Sequence, residues 1–440
     1  MGTSFRPYEP EQSHLFPASP RDWLPEGHLA FFISDTVESL ELNAFYERYK
    51  GDGRRNQPFD PAMMLKVLLY GYSTGTFSSR RLAAKLEEDV AYRYLAGGCF
   101  PAHRTIAEFR QRHLAEFGSL FVQVVRLARE VGLVKLGTLV LDGTKVKANA
   151  SKHKAMSYER MRKEEERLVK EIKAITTRAA QEDAAEDAEF GPDFRGDELP
   201  EELARRESRL AKIRAAKARL EQRQREEDRR SGRGPGDHDK PGRSGPKFKR
   251  RFGTPPDKKQ DNFTDPDSRI MKTGQGYQQS YNAQAAIEDG TQLIVATGLT
   301  QSAADTRELK PLLERVQTNT GRLPKRSLAD AGYLSEENLR HLEEVGVTGY
   351  VALGREKKDG PRRANPEYPA TQRMRRRLRT RRGRAYYRRR KQGERPFGWI
   401  KSVLGFASFS LRGVTKAAAE WDLVCLALNL KRLNHMMVWQ

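Results

Sequence analysis

The chain has 440 residues, with 81 Lys and Arg against 59 Asp and Glu, a formal net charge of +22. That length implies two to four structural units rather than one small domain. It contains no run of about 18 apolar residues, which excludes a membrane-spanning helix, and its two cysteines, Cys99 and Cys425, make neither a disulfide framework nor a zinc ribbon.

Residues 1–27 are rich in proline and read as an extended arm. The first ten carry no basic stretch followed by an apolar one, so a secretion signal is not expected and the cytoplasm is. From 28 to about 130 the pattern is helical. Asp60-Pro61 precedes an apolar helical run at 63–70, a helix start signal. A second helix opens at Ser78 and runs to Leu95, where Gly97-Gly98 end it. A third opens at His103-Arg104. Two short helices joined by a turn, the second opening on His and Arg, resemble a helix-turn-helix, an arrangement that many helical domains without DNA also show.

Near residue 137 the period changes. Residues 138–142 form a short buried-strand pattern ending on Asp142. Strand patterns return at 281–287 and 292–299, joined by Glu288-Asp289-Gly290-Thr291, a hairpin signal. A helix at 308–316, a strand at 326–329 ending on Asp330, a helix capped by Ser335, a strand at 347–353 and a final helix near 394–404 follow. This gives an α/β mixed sheet. Two insertions interrupt it. Met161, Leu168, Ile172 and Ile175, then Leu203, Leu210, Ile213 and Leu220, fall at helical spacing, so residues 157–232 form a helical hairpin with a thin apolar seam. Residues 231–262 read as a disordered basic linker. The second insertion, 355–386, leads into a basic run: from Gln372 to Lys391, 12 of 20 residues are Arg or Lys. Such a run is either a solvated face or a set of phosphate contacts, and the dominance of Arg favours phosphate. The overall charge points the same way, toward nucleic acid.

Three acids are candidates for chemistry. Asp142 and Asp330 each follow an apolar strand and precede small residues, at the end of the sheet where loops gather. A strand-end Asp can also simply start a turn. Glu394 lies in Tyr386-Tyr387-Arg388-Arg389-Arg390-Lys391-Gln392-Gly393-Glu394-Arg395-Pro396. Pro396 places a helix start close to Glu394, so Tyr387 and Arg390 are expected before it. Lys401, seven residues on, falls on the same helical face as Glu394 and suits a phosphate. Carboxylates from two strands and a helix suit Mg²⁺, and two ions about 4 Å apart activate an attacking oxygen and stabilise a leaving one in phosphodiester chemistry. No phosphate loop, metal-spaced Cys/His set or Gly-x-Ser-x-Gly elbow competes.

These residues resemble the DDE class of bacterial insertion-sequence transposases. The spacing of Tyr387, Arg390, Glu394 and Lys401 is the family's Tyr-Arg-Glu-Lys signature. Asp142-Gly143-Thr144-Lys145 and Asp330-Ala331-Gly332-Tyr333 are similar to its two aspartate motifs, and Ser280-Tyr281-Asn282-Ala283-Gln284 to a segment between them. Residues 28–113 resemble its N-terminal helical domain, notably at Ser78-Ser79-Arg80 and Arg104-Thr105-Ile106-Ala107-Glu108-Phe109-Arg110. The resemblance implies a ribonuclease-H-like catalytic domain. Asp142, Asp330 and Glu394 would bind two Mg²⁺ or Mn²⁺ ions. Tyr387, Arg390 and Lys401, with Arg80, Arg104 and Arg110 of the helical domain, would contact DNA. It implies cleavage at element ends and transfer of a 3′-hydroxyl into target DNA, by a homo-oligomer associated with the nucleoid. An inactive DNA-binding regulator and a nuclease that cuts without joining are the alternatives. The expected division is an arm at 1–27, a DNA-binding domain at 28–130, the first catalytic part at 137–150, the insertion and linker at 151–268, and the remaining catalytic part at 269–440.

Overall fold

The computed structural model describes residues 19–49, 57–190, 201–237, 250–354 and 367–438. The N-terminal part is helical: α1 (Leu29–Ser39), α2 (Asn43–Glu47), α3 (Pro61–Ser73), α4 (Ser79–Glu88), α5 (Val90–Ala96), α6 (His103–Arg112) and α7 (Leu114–Glu130). Residues 1–18 of the expected arm lie outside the described residues. Its end is not extended: Pro20–Trp23 form a 3₁₀ turn capped by Ser19. Asp60 caps α3 by accepting from the Met63 amide, with Pro61 in the first turn. The helix expected from Ser78 to Leu95 is two helices. Asp89 adopts an extended backbone, and its carboxylate accepts from the Ala91 amide to start α5. Asp is a better cap than helix interior.

β1 (Thr138–Lys147) opens the sheet. The insertion follows as α8 (Tyr158–Phe190) and α9 (Glu201–Arg230), flanked by the short antiparallel pair β2 (Ala155–Ser157) and β3 (Gln260–Asn262). The hairpin has its own seam, with Met161 and Leu168 facing Leu210, Ile213 and Leu220. Ion pairs such as Glu165 with Arg214 and Lys217 flank it. Of the expected disordered linker, 238–249 lie outside the described residues, but 250–262 are ordered. There Asp261 accepts from Arg219 and Arg223 of α9, a charge partnership that composition does not reveal.

The rest of the sheet is β4 (Arg269–Thr273), β5 (Gly276–Glu288), β6 (Ile294–Thr300), β7 (Arg326–Ala329) and β8 (Thr348–Val351), with crossover helices α10 (Leu309–Thr320) and α11 (Glu336–Glu344). β5 pairs antiparallel with β1, β4 and β6, and β1, β7 and β8 are parallel neighbours. This is the mixed sheet of a ribonuclease-H-like fold. Because β4 adds a strand, Asp330 follows the fifth strand of the main sheet rather than the fourth. The chain then forms α12 (Pro369–Arg379), α13 (Arg381–Arg389), α14 (Glu394–Gly398) and α15 (Val414–Val438). Residues 355–366 of the second insertion lie outside the described residues.

The α15 helix lies at the centre of the molecule. It packs on α3, α7 and β6. Trp421, Leu423, Val424, Leu426, Ala427 and Leu430 are all fully buried, so the helix is apolar nearly all round. One continuous core joins the N-terminal helices to the sheet through it. The Ser73 hydroxyl donates to the Ala427 carbonyl, and Phe77 meets Phe406 edge to face. The helices at 28–130 therefore share a core with the mixed sheet rather than forming a separate globule.

Candidate active site

The site begins with register. β7 pairs with β1 in parallel, Leu141 beside Ala329, so the next residues on the two strands are Asp142 and Asp330. β7 stops there. Asp330 turns into a 3₁₀ turn by accepting from the Gly332 amide. β1 does not stop. It continues to Lys147 because Gly143 to Lys147 pair with Ser280 to Gln284 of β5. Asp142 is thus in mid-strand, not at a strand end as the apolar run predicts.

The third acid arrives from a tight turn. Residues Arg390–Gly393 form a 3₁₀ turn that packs on β1. A Cβ on Gly393 would lie 2.6 Å from Val140 Cγ1 and 3.3 Å from Asp142 Cβ. Only glycine allows that approach, and it seats Glu394, the first residue of α14, above Asp142. Asp142, Asp330, Glu394 and Arg390 line one cavity of about 270 Å³.

Its electrostatics are those of crowded carboxylates. Burial pushes the Asp142 carboxyl up to about 7, the neighbouring Asp330, Glu394 and Asp305 charges add to the rise, and the Gly143 amide opposes it. Among the described residues no three acids, histidines or cysteines are gathered tightly around one point, so Asp142, Asp330 and Glu394 would have to draw together on a bound ion. The donor chemistry nevertheless fits a hard divalent cation: the acidic lining consists of two aspartates and a glutamate, with no thiol or imidazole. A bound cation would favour the ionised Asp142 that burial, and after it the neighbouring acids, disfavour.

The four residues of the spaced signature divide their positions. Arg390 lines the cavity and its guanidinium lies 4.9 Å from the Tyr387 ring centroid. Tyr387, in α13, and Arg390, in the turn that follows, both precede the helix that begins at Glu394, as the sequence leads one to expect. Lys401 is not two regular turns from Glu394, because a π-helical stretch, Trp399–Val403, follows α14 and shifts the phase. Its ammonium donates to Thr144 Oγ1 at 2.6 Å and to the Lys145 carbonyl at 2.9 Å. Loss of hydration there, with Lys145 close by, holds its pKa below the usual value.

Arg80 and Arg104 are exposed on α4 and α6. Arg110 is a correction. It is buried and donates to the Tyr72 hydroxyl and the Phe77 carbonyl, both at 3.0 Å, so it holds the helical core and does not face DNA. The basic run is also partly committed. Arg373 pairs with Glu343 and Arg377 donates to the Gly349 carbonyl, whereas Arg376 and Arg379 are exposed.

Sequence reasoning missed a fourth acid. Asp305 Oδ1 accepts from Asn282 Nδ2 at 2.6 Å, Gln284 Nε2 at 2.8 Å and Lys145 Nζ at 3.3 Å. The Tyr333 hydroxyl donates to Gln284 Oε1, which ties this network to the loop after Asp330. Asp305 lies in a loop, where no strand-end pattern marks it. Asn282 and Gln284, polar residues alternating with apolar ones in a buried strand, were the available signal.

Two family models match the chain. Residues 18–112 match a transposase domain (DUF772), and residues 245–430 match the transposase DDE domain. The chain belongs to the DDE-class insertion-sequence transposases. The second match contains Asp330 and Glu394 and begins after Asp142, on the far side of the helical hairpin, so the hairpin separates the first acid from the matched region. Searches of curated proteins and of solved structures give no match. Among the described residues of the transposase no helix is long and apolar enough to cross a membrane.

Proposed function

We propose that this transposase cleaves DNA at the ends of its element and joins the resulting 3′-hydroxyl to target DNA at the cavity formed by Asp142, Asp330 and Glu394. The observation that carries the reading is the convergence of three separate sequence segments, β1, the end of β7 and the Gly393 turn, on one carboxylate-lined cavity. Asp142, Asp330 and Glu394 would hold two Mg²⁺ or Mn²⁺ ions. Bound there, the ions supply activation of the attacking oxygen and neutralisation of the leaving one. Arg390 presents a planar guanidinium to the same cavity, suited to a phosphate's oxygens. Lys401 is fixed beside it by Thr144, as a positioning charge along the DNA path.

The test uses DNA flanking the element, cut into labelled end fragments, with Mg²⁺ or Mn²⁺. Cleavage at defined ends by the wild type, and none by Glu394→Gln, is the expected result. Specific binding without cleavage by either protein favours a regulator. Cleavage without joining of pre-cut 3′-hydroxyl ends favours a nuclease.

A further inference from the structure

A second cavity, of about 660 Å³, lies at the C-terminal end of β1, beyond Asp142. Lys147, Lys152, Lys154 and Arg412 line it, and none of its lining residues is acidic. The three lysines are exposed, and among the described residues none of their ammonium groups has a partner. That differs from the helical hairpin, where Glu159 meets Lys163, Glu164 meets Arg167 and Glu165 meets Arg214. Cations left together without acids repel one another and favour a polyanion.

The frame of this cavity is already built. The Phe409 amide donates to the Lys147 carbonyl, Asn149 Nδ2 to the Ser410 carbonyl, and Arg412 Nε to the Asn149 carbonyl. These bonds fix the loop after β1 against the loop that precedes α15. At the rim, Tyr277 of the β4–β5 hairpin is 67% exposed. An exposed ring beside unpaired cations is the pairing that binds an unstacked base and its phosphates. A recess of this volume suits a small ligand, hence a nucleotide or two of one strand rather than a duplex.

Its location ties it to the first cavity. Lys147 is about 16 Å along β1 from Asp142, at a strand rise of about 3.3 Å per residue, and its side chain leaves the opposite face, so a DNA strand reaching both cavities crosses the edge of β1 beyond Leu141, where β7 no longer pairs with it. Lys401, held at Thr144 and Lys145, lies between them. At the duplex rise of about 3.4 Å per nucleotide that span covers about five nucleotides, and fewer of an extended single strand.

We propose that this cavity seats one DNA strand beside the scissile bond, with phosphates on Lys147, Lys152 and Lys154 and one base stacked on Tyr277. The proposal rests on the reading of the carboxylate cavity as the cleavage site.

The test measures binding of element-end DNA to the full-length transposase across a salt series. A Lys147→Gln, Lys152→Gln, Lys154→Gln variant should bind at least tenfold more weakly. Its salt slope should fall by about two, at about 0.7 per single-strand phosphate contact for three contacts. Tyr277→Ala should weaken binding by about tenfold and Tyr277→Phe should restore it. If the triple variant melts early, the two Tyr277 variants carry the test. 5-Iodouracil placed within about five nucleotides of the cleavage point should cross-link to Tyr277 on irradiation. Wild-type affinity and slope in the triple variant, with Tyr277→Ala also unchanged, would overturn the proposal while leaving cleavage at Asp142 intact. Cross-links only from more distant positions would overturn the placement. A wild type that neither binds nor cuts these ends would overturn both readings.

Discussion

Replacing Gly393 by alanine asks how closely the turn that carries Glu394 must approach β1. The backbone at Gly393 is ordinary right-handed helix, φ −63°, so alanine causes no backbone strain. The effect is steric. The added Cβ would meet Val140 Cγ1 at 2.6 Å, Asp142 Cβ at 3.3 Å and Asp142 Oδ2 at 3.4 Å. Optimal carbon contacts are about 3.5–4.0 Å, so the turn and strand must part by about 1 Å. Val140 is packed on Leu328 and Tyr350 and cannot yield. The turn moves instead, and Glu394 with it. Overpacking of this kind costs about 1–3 kcal/mol of stability, whereas a displacement of about 1 Å in a catalytic group costs on the order of 100-fold in rate. Gly393→Ala should therefore fold, melt slightly earlier, and lose about two orders of magnitude in end cleavage. Adding Val140→Ala removes the obstructing methyl and should recover part of that loss. Gly398 is the control. It is also helical, a Cβ there meets nothing within 4 Å, and Gly398→Ala should keep full activity. Thermal melts beside initial cleavage rates on labelled end fragments read all four proteins. Wild-type cleavage by Gly393→Ala would show that Glu394 does not depend on the close approach, and would refute the reasoning.

Asp142→Asn should abolish cleavage yet raise the melting temperature in metal-free buffer, since it removes a carboxylate whose charge is disfavoured by burial and then by the neighbouring acids. Arg110→Met should destabilise by about 1–3 kcal/mol, because it leaves the buried Tyr72 hydroxyl and Phe77 carbonyl without their donor. In denaturant titrations it would shift the midpoint, with little change in the salt slope of DNA binding. His113 is buried against the Phe45 and Phe109 rings, and burial pushes its pKa down from 6.5 to about 4. The unfolded chain then binds the extra proton first, so stability is full above pH 6.5 and is lost as the pH falls toward 4. His113→Phe should flatten that part of the pH–stability curve, and an unchanged slope would assign it to other groups. Arg376→Gln with Arg379→Gln should weaken DNA binding and reduce its salt slope, whereas Arg373→Gln with Arg377→Gln should chiefly lower the melting temperature, because those two are bound to Glu343 and Gly349.

Legibility of the fold in the sequence followed how local each signal is. The Asp60-Pro61 cap, the hairpin between β5 and β6, the strand at Arg326–Ala329 and the Ser335 cap are set by neighbouring residues, and the structure has them. Asp142 looked like a strand end because the apolar run stops there. β1 continues because its second half pairs with residues 133 to 141 positions away in β5, which local pattern does not record. The α15 helix was invisible to amphipathic periodicity because it is buried on nearly every side. At the site, strand-end context and spacing single out the three acids that line one cavity. They do not mark Asp305, since its importance comes from three donors on two strands that meet only in the folded chain. Arg110 was misjudged for the converse reason. It sits in the last turn of a motif-like helix that opens beside the exposed Arg104, and only packing shows that it faces Tyr72.

The most direct test of the account replaces each of Asp142, Asp330 and Glu394 by cysteine in turn and compares end cleavage in Mg²⁺ with cleavage in Mn²⁺ or Cd²⁺. A thiolate is a poor ligand for Mg²⁺ and a better one for softer ions. If these three side chains hold the catalytic metals, each variant should be inactive in Mg²⁺ and at least partly recovered by a softer ion. Activity of any of the three in Mg²⁺ at the wild-type rate, or a failure of all three to recover in the softer ions while remaining folded, would contradict the claim that these acids form one metal site.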